Sequence, residues 1–443
     1  MQKRVIEIYS SIFKNNETNP NNESYLYKVP VFSTCEVLNM CEDVKKIFSD
    51  ESSLLELHGD FVVVGDLHGH FFDLVRIFQK FGLPPNRKYL FLGDLVDRGD
   101  FSLAILMTIF ALKCQFTDHI FVIRGNHEFR DVCLNSGFFR EINRIYSNET
   151  RHNTKSSDAN DDNISGGIQK DADDNKTNQK VQQEIKDIFD EVCDVFSVLP
   201  LVAIVNEEYL CVHGGIGPKF QTINQCSLIP RPINTLYGGI ADEILWSDPS
   251  EEINTYRPSK RGAGFEYGKE SIKSFLEKNK MKLLIRAHQP VQEGFKYSLN
   301  NKVITIFSAS NYCGMSNNES SVLLLNEGKE EEPFKFEPLP FIQHKDVKYI
   351  LTEERDIEVS NTTLRKKKCR ACKSIKRKRK CQAETLRSSQ PFPKVLKIPS
   401  YGPKLGPASS LSPIGSVGQD VSRFSSKAKP KKFGSPTKKI QFS

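Results

Sequence analysis

Five short polar motifs along the chain contain residue types that bind metal ions and carry out acid–base chemistry. The motifs are GDLHG (residues 65–69), GDLVDRG (93–99), RGNHE (124–128), HGG (213–215) and RAHQ (286–289). Asp carboxylates, an Asn amide and neutral imidazoles are the ligands expected of manganese, iron or zinc sites that lack thiolates. Four of the nine histidines lie in these motifs. If the motifs meet in space, they supply enough donors for two metal ions.

A pair of metal ions suits the hydrolysis of phosphate esters. Two ions about 3.5–4 Å apart can lower the pKa of a bridging water from about 15.7 to about 7, and they can clamp the phosphoryl oxygens. Asp94 is the natural bridging ligand, because one carboxylate can bind both ions. Arg98 and Arg261 are predicted to bind phosphate, since a guanidinium group matches its geometry. His127 could donate a proton to the leaving alkoxide, and Asp97 would favour its protonated form.

Each motif follows a short apolar run that is typical of a buried β-strand. The five runs are residues 61–64, 89–92, 120–123, 209–212 and 283–285. Continuous apolar runs suit strands covered by helices, and amphipathic segments between them indicate an α/β fold. Residues just past the carboxyl ends of such strands gather at one edge of the sheet, where ligands bind. Before the first motif, Ser33 and Thr34 are predicted to cap a helix over residues 35–48.

Taken alone, each motif has a more ordinary interpretation. A single Asp-x-His-Gly can be a simple turn, and Arg98 with Asp97 can be a surface ion pair. His213 or His288 alone would more often be a hydrogen-bonded core histidine than a ligand. The five motifs together, each at the end of an apolar run, favour a metal site over these alternatives.

The motifs also resemble the signature set of the PPP family of serine/threonine phosphatases, the relatives of protein phosphatases 1 and 2A and calcineurin. Further blocks of this resemblance are WSDP (246–249), RGAGF (261–265) and SASNYCG (308–314), and the similarity covers roughly residues 24–325 apart from an insertion. The resemblance implies a four-layer metallophosphoesterase-like α/β sandwich with two β-sheets. It also implies hydrolysis of phosphoserine and phosphothreonine in phosphoprotein substrates, by direct attack of a water activated by two metal ions.

The resemblance implies a role for each matching residue. The implied ligands of one metal ion are Asp66, His68 and Asp94, and those of the other are Asp94, Asn126, His213 and His288. The implied phosphate-binding residues are Arg98, Asn126, Arg261 and Tyr312. His127, paired with Asp97, would be the catalytic acid. Manganese is the metal expected in vitro, with iron and zinc as alternatives.

Four positions depart from the family pattern. Leu95 stands where an aromatic residue is usual, His70 where Gln is usual, Ser310 where Pro is common and Gly217 where Ser is common. No departure removes an implied ligand, so hydrolytic activity is still expected. The departures leave the subfamily open.

Composition divides the chain into a catalytic domain, residues 1–340, and a basic tail, residues 341–443. Residues 351–443 contain 23 Lys and Arg against 6 Asp and Glu, which is a net charge of +17. The whole chain has a net charge of +7, so the residues before 351 carry a net charge of −10. Within the catalytic domain, residues 147–183 are polar with almost no apolar side chains. Such a segment cannot bury enough surface to fold, so we predict that it is disordered, as is the tail.

Two basic clusters in the tail, residues 365–368 and 376–380, resemble a bipartite nuclear import signal that binds importin. The alternative is a solvated tail that attracts nucleic acid or other polyanions. Zinc binding by the tail cysteines is not expected, because a fourth ligand is missing. Ser435 precedes Pro436 and resembles a site for proline-directed kinases. A pseudosubstrate role for the tail remains open.

The composition also bears on location and on alternative functions. The eleven cysteines show no paired spacing, and no apolar run approaches the roughly 20 residues that span a bilayer, so we expect a soluble protein of the nucleus or cytoplasm. The family resemblance leads us to expect a regulatory subunit. We expect no membrane partner. Two other functions remain open: a different metallophosphoesterase, such as a dinucleoside polyphosphate hydrolase, or a non-enzymatic scaffold that acts through the tail.

Overall fold

Two β-sheets lie face to face at the centre of the fold. The computed structural model describes residues 2–15, 27–147, 170–235 and 238–352. Its helices are α1 (Gln2–Asn15), α2 (Thr34–Asp50), α3 (Phe71–Phe81), α4 (Ser102–Gln115), α5 (Arg130–Ser136), α6 (Phe138–Tyr146), α7 (Lys170–Phe196), α8 (Ile240–Trp246) and α9 (Lys269–Asn279). Among the described residues, no helix is both long enough and apolar enough to cross a bilayer.

The strands follow in chain order. They are β1 (Tyr27–Val31), β2 (Leu54–Leu57), β3 (Phe61–Val64), β4 (Lys88–Phe91), β5 (Ile120–Val122), β6 (Val202–Val205), β7 (Tyr209–Val212), β8 (Asp248–Pro249), β9 (Tyr256–Pro258), β10 (Phe265–Tyr267), β11 (Leu283–Arg286), β12 (Phe295–Ser298), β13 (Val303–Ile306), β14 (Ser320–Leu325), β15 (Glu332–Phe336) and β16 (Val347–Leu351). Short 3-10 helices include Ile223–Leu228, Tyr312–Gly314 and His344–Asp346.

The first sheet has the strand order β15-β14-β3-β4-β5, and the second has the order β12-β13-β11-β7-β6-β2. In the first sheet β3, β4 and β5 run parallel, and in the second β7, β11 and β13 run parallel. Because parallel strands end at the same edge, the loops that follow them lie together. An isolated bridge between Asp66 and Phe307 joins the two sheets at that edge.

Alternating side chains of the strands produce the layers. In β3, Phe61 and Val63 face the second sheet, whereas Val62 and Val64 pack against the helices that cover the first sheet. Residues of α8 and α9 cover the outer face of the second sheet. The order of layers is therefore helices, sheet, sheet, helices. This arrangement confirms the predicted four-layer α/β sandwich with two β-sheets.

The predicted helix over residues 35–48 is also present, as α2. Ser33 caps it, because the Ser33 side chain accepts from the backbone N–H of Glu36 while the Glu36 side chain accepts from the backbone N–H of Ser33. This reciprocal pair satisfies two of the backbone donors that a helix start leaves unbonded.

The structure differs from the predicted disorder of residues 147–183, because residues 170–183 form the start of α7. The later half of α7 carries buried Ile185, Ile188, Phe189 and Val192, which pack in the same core as α2 and α6. Once that apolar stripe anchors the helix, each further residue adds a hydrogen bond without a new nucleation cost, so a polar segment can continue it. Residues 148–169 of the predicted insertion lie outside the described residues.

The folded body extends beyond residue 340, the predicted domain boundary. β16 pairs in parallel with β1, with Val347 opposite Tyr27 and Leu351 opposite Val31. Val347 is buried, and the Thr352 hydroxyl donates to the carbonyl of Val31. Residues 353–443, which contain the basic clusters of the predicted tail, lie outside the described residues.

Candidate active site

The loops that follow the parallel strands meet at one edge of the two sheets and bury the predicted metal ligands. The first sheet contributes Asp66 after β3, Asp94 after β4 and Asn126 after β5, and His68 lies in the same loop as Asp66. The second sheet contributes His213 after β7 and His288 after β11. All six side chains are buried. The structure thus brings together residues that are up to 222 positions apart in the chain, as the hydrogen bond between His288 N–H and Asp66 shows.

Two groups of potential ligand residues within the described part of the chain share Asp94, and they are His68, Asp94 and His127, and Asp94, His213 and His288. In the first group, Nε2 of His68 lies 3.4 Å from Oδ2 of Asp94, and Oδ2 of Asp66 lies 3.8 Å from the same nitrogen. In the second group, Nε2 of His213 lies 3.4 Å from the same oxygen of Asp94. That nitrogen is also 2.8 Å from Oδ1 of Asn126 and 3.2 Å from Nδ1 of His288. Asp94 therefore lies where a carboxylate could bridge two ions.

The hydrogen bonds of the histidines test whether the donor set fits a metal ion. Nδ1 of His213 lies 2.8 Å from the carbonyl of Leu92, and Nδ1 of His68 lies 2.8 Å from the carbonyl of Val96. Each Nδ1 must donate there, so each Nε2 is the ring nitrogen left for a proton or a metal ion. In the second group, Nε2 of His213 faces the carbonyl oxygen of the Asn126 amide, and these two acceptors would repel each other without a proton or a metal ion between them.

Either a proton on Nε2 or a metal ion between the acceptors would remove this repulsion. Ligands about 2.1 Å from one ion, at angles of ~80–110°, lie roughly 2.7–3.4 Å from one another. The separations of 2.8, 3.2 and 3.4 Å around Nε2 of His213 fall in that range. The donors are imidazole nitrogens, carboxylates and an amide oxygen, which suit manganese, iron or zinc. The residues therefore fit a metal centre.

Charge interactions within the cluster link metal binding to pH. Burial, together with the negative charge of Asp94, raises the pKa of Asp66 to about 7. Burial also opposes ionisation of Asp94, but the nearby imidazoles outweigh it and hold the pKa of Asp94 well below its usual range. Burial lowers the pKa of His213, yet Asp94 prevails and raises it to about 9. A proton and a metal ion would therefore compete for Nε2 of His213.

His127 and Asp97, which the sequence predicts to act as an acid pair, are in contact through a hydrogen bond. Nδ1 of His127 lies 2.7 Å from Oδ2 of Asp97, whose other oxygen accepts from the backbone N–H of Phe138 at 2.9 Å. Burial would lower the pKa of His127, but the charges of Asp94 and Asp97 outweigh it, so the pKa is raised. Distance alone would also allow His127 to join His68 and Asp94 as a ligand. Asp97 fixes the ring and leaves Nε2 of His127 open to a proton or to a metal ion.

The predicted phosphate-binding arginines lie at the surface beside the buried cluster. Arg98 and Arg261 are both exposed. Burial has the largest effect on the pKa of His68, which is lowered to about 3. The positive charge of Arg98 contributes to this lowering. Arg261 likewise helps to lower the pKa of His288. Among the described residues, no hydrogen-bond acceptor pairs with the Arg98 guanidinium, whereas Nε of Arg261 donates to Asp248 at 2.6 Å.

Aromatic rings cover both ends of the cluster. The ring of Tyr312 lies 5.5 Å from that of His68, and burial raises the pKa of its hydroxyl. The ring of Trp246 lies 5.7 Å from that of His288 in an edge-on contact. Tyr312 is therefore close to one ligand group and Trp246 to the other.

Glu128 is a supporting residue to which the sequence reasoning gave no role. Its buried carboxylate accepts from the backbone N–H groups of Asp94, Leu95 and Gly125 at 2.8–2.9 Å. These bonds fix the loop that presents Asp94 against the loop that presents Asn126. The signal available in the sequence was the position of Glu128 at the end of the RGNHE motif.

Two further carboxylates support the loops around the site. Asp248 accepts from Arg261 and also from Arg286 at 2.9 Å, so it holds Arg261 beside the cluster. Asp73 accepts from the backbone N–H of Ser310 at 3.0 Å. Close backbone contact also requires glycine at Gly93, where φ is +95° and an added Cβ would lie 2.2 Å from the nitrogen of Gly125.

Comparisons with known proteins agree with this geometry. Residues 59–292 match the family model described as calcineurin-like phosphoesterase. The chain is similar in structure to a protein serine/threonine phosphatase from Saccharomyces cerevisiae with similarity to human phosphatase PP5, with 28% identity and a TM-score of 0.57 over 69% of this chain and 90% of that chain. These matches confirm the resemblance to the PPP phosphatases.

More distant similarity extends to two other solved structures. A cold-active protein-tyrosine phosphatase of a psychrophile Shewanella sp. has 15% identity and a TM-score of 0.42, over 65% of this chain and 84% of that chain. A metallophosphoesterase from Sphaerobacter thermophilus has 10% identity and a TM-score of 0.31, over 63% of this chain and 89% of that chain.

Proposed function

The chain belongs to the calcineurin-like phosphoesterase family, and on that premise we propose that it is a protein phosphatase that hydrolyses phosphoserine and phosphothreonine. The single observation that carries the proposal is the sharing of Asp94 by two buried groups of ligand atoms. Exposed Arg98 and Arg261 beside these groups supply the positive charge that a phosphate monoester requires.

The residues divide the work of the reaction. One divalent ion would be held by Asp66, His68 and Asp94, and the other by Asp94, Asn126, His213 and His288. Such ions supply hydroxide at neutral pH and neutralise the phosphoryl oxygens. Arg98 and Arg261 bind the non-bridging oxygens of the phosphate, with Asn126 and Tyr312 beside them. His127 gives its Nε2 proton to the alkoxide of the leaving serine or threonine, and Asp97 keeps that ring protonated and oriented.

Two observations support a protein substrate. The arginines that bind phosphate lie at the protein surface, where a phosphorylated side chain of another protein can reach them. Arg261 is held there by Asp248. Asp248 lies in the WSDP block and Arg261 in the RGAGF block, and both blocks are part of the resemblance to the PPP family. The similarity to the yeast serine/threonine phosphatase points the same way.

Turnover of matched substrates tests the proposal. The purified chain with Mn²⁺ should hydrolyse phosphoserine and phosphothreonine peptides much faster than a phosphotyrosine peptide or a dinucleoside tetraphosphate. His127→Asn should abolish most of this turnover, whereas His58→Asn, a change to an exposed histidine, serves as the matched control. Faster hydrolysis of the dinucleoside tetraphosphate would replace the proposal by the rival phosphoesterase activity. Full activity in His127→Asn would overturn the role given to His127.

The basic segment beyond residue 352 has a separate proposed role in localisation and partner binding. Its clusters of lysine and arginine suit importin or a polyanion, and its charge is opposite to that of the preceding body. A regulatory subunit that selects substrates remains part of the proposal. Fusion of residues 353–443 to a fluorescent protein tests import directly, and exclusion of the fusion from the nucleus would contradict it.

A further inference from the structure

Residues 337–346, here called the strap, link β15 to β16 and contact the loop that carries Tyr312. The backbone N–H of Leu339 donates to the Ser310 hydroxyl at 3.0 Å, and the Asn311 side chain donates to the carbonyl of Leu339 at 3.2 Å. Ser310 is itself held by Asp73. The strap is therefore bonded to the start of the loop from residue 310 to residue 314.

A chain of ring contacts continues from the strap to the metal ligands. The ring of Phe341 lies 5.6 Å from that of His70, and the ring of His70 stacks on that of Tyr312 at 5.9 Å with an angle of 27°. Tyr312 in turn contacts His68. Phe341 also covers Gly314, since a Cβ added at Gly314 would lie 2.7 Å from the Phe341 ring.

The far end of the strap is tied to the loop that carries Arg98. Both the backbone N–H and Nδ1 of His344 lie within 3.0 Å of Oδ2 of Asp100. Arg144 also donates to the Asp100 carboxylate at 3.0 Å. The pair of His344 and Asp100 is partly exposed, so it contributes little to the free energy of folding by itself. Its effect is to fix the path of the strap.

The loop under the strap has a conformation that needs outside support. Asn311 and Cys313 have φ angles of +44° and +56°, in the left-handed region that non-glycine residues seldom adopt. Residues held in this region stay there only when the surroundings over-determine them. The hydrogen bonds of the Leu339 backbone with the side chains of Ser310 and Asn311, and the contact of the Phe341 ring with Gly314, contribute to that support.

We propose that Phe341 is a positioning residue for phosphate binding, which holds Tyr312 in place through His70 and Gly314. The inference rests on the proposed function, because it assigns to Tyr312 a contact with the phosphate group. It predicts that loss of the Phe341 ring weakens phosphate binding and leaves the metal ligands intact. His70, which departs from the family pattern, is then the ring through which the strap acts on Tyr312.

The test compares Phe341→Ala with Phe341→Tyr, which keeps the ring, and with Phe334→Ala as a matched control. Phe334 is a half-buried aromatic residue of β15 that packs on Phe81 and Lys80. Calorimetry of the Mn²⁺-loaded proteins measures the affinity for inorganic phosphate without any turnover. Mn²⁺ affinity is followed by the fluorescence of Trp246, the single tryptophan of the chain, which contacts His288. Steady-state kinetics with p-nitrophenyl phosphate separates KM from kcat.

Since a misplacement of about 1 Å can cost ~100-fold in rate, a loosened Tyr312 should weaken phosphate binding and raise KM by roughly tenfold. We expect this in Phe341→Ala, with Mn²⁺ affinity unchanged, and recovery in Phe341→Tyr. Phe334→Ala should lower the melting temperature but leave the phosphate affinity as in the unmodified chain. If Phe341→Ala does not fold, Phe341→Leu should show the same loss of phosphate affinity.

Three outcomes overturn the inference: phosphate affinity in Phe341→Ala equal to that of Phe334→Ala, no recovery in Phe341→Tyr, or an equal loss of Mn²⁺ affinity. In Phe341→Leu, a phosphate affinity equal to that of the unmodified chain would also overturn the inference. Failure of the unmodified chain to hydrolyse phosphopeptides would instead overturn the proposed function. The calorimetric result would remain readable in that case, because it requires no catalysis.

Discussion

Replacement of Asp97 by asparagine isolates the role of the charge beside His127. Asp97→Asn keeps the shape of the side chain but removes its charge from an oxygen 2.7 Å from Nδ1 of His127. A hydrogen bond to a charged group contributes about 1.5–3 kcal/mol. At about 1.36 kcal/mol per pKa unit, the pKa of His127 should fall by roughly 1–2 units.

His127 can act as an acid only when it is protonated, and this fixes the direction in which kcat changes with pH. The pKa of His127 is raised in the folded protein, so the acid is protonated below that pKa and loses its proton as pH rises through it. Asp97→Asn lowers the pKa, and the alkaline limb of the pH–kcat profile should therefore move to lower pH. General acid catalysis contributes ~10²–10⁴-fold to a rate, so kcat for a phosphoserine peptide at neutral pH should fall by about 100-fold or more.

The choice of substrate makes the assay specific. A serine alkoxide needs a proton to leave, whereas p-nitrophenolate leaves readily without one, so the loss should be much smaller for p-nitrophenyl phosphate. Asp131→Asn, a change to an exposed carboxylate of α5, is the control and should behave as the unmodified chain. Equal losses on both substrates, or an alkaline limb that does not move, would refute the assignment of His127 as the acid.

Three further predictions concern support, pH and the tail. Glu128→Gln weakens the carboxylate that holds three backbone N–H groups, so the free energy of unfolding should fall by about 2–4 kcal/mol in urea denaturation, with a parallel loss of Mn²⁺ affinity. Mn²⁺ affinity should rise with pH up to about 9, the raised pKa of His213, because a proton competes for its Nε2; a titration at several pH values that shows constant affinity would contradict this. Removal of residues 353–443 should leave Mn²⁺-dependent hydrolysis of p-nitrophenyl phosphate intact and abolish salt-sensitive binding to polyanions, and persistence of that binding would place it on the folded body.

The sequence was sufficient to predict the fold class and the set of residues that meet at the sheet edge. Asp66, Asp94 and His213 each follow a continuous apolar run, residues 61–64, 89–92 and 209–212, and this pattern depends only on neighbours in the chain. Parallel strands then place the ends together, whatever the loops between them contain. Local pattern and overall topology agree at these positions.

The features that were not predicted depend on contacts between distant residues. Residues 170–183 look disordered in isolation, and they are helical because a packed stripe later in α7 anchors them. β16 pairs with β1, about 320 residues earlier in the chain, and its short pattern of apolar and charged residues gives no strong signal. The role of Glu128 depends on three backbone N–H groups that converge only in the folded chain. Phe341 likewise acquires its place in the ring contacts from the path of the strap.

The most direct test of the central claim is the number of metal ions that the folded chain binds, with and without Asp94. Elemental analysis after dialysis, combined with the fluorescence of Trp246, counts Mn²⁺ per chain and requires no substrate. The unmodified chain should bind two ions, and Asp94→Asn should keep its fold by circular dichroism while it loses tight binding at both positions. A chain that binds at most one ion, or an Asp94→Asn variant that binds two with unchanged affinity, would contradict the shared carboxylate on which the account depends.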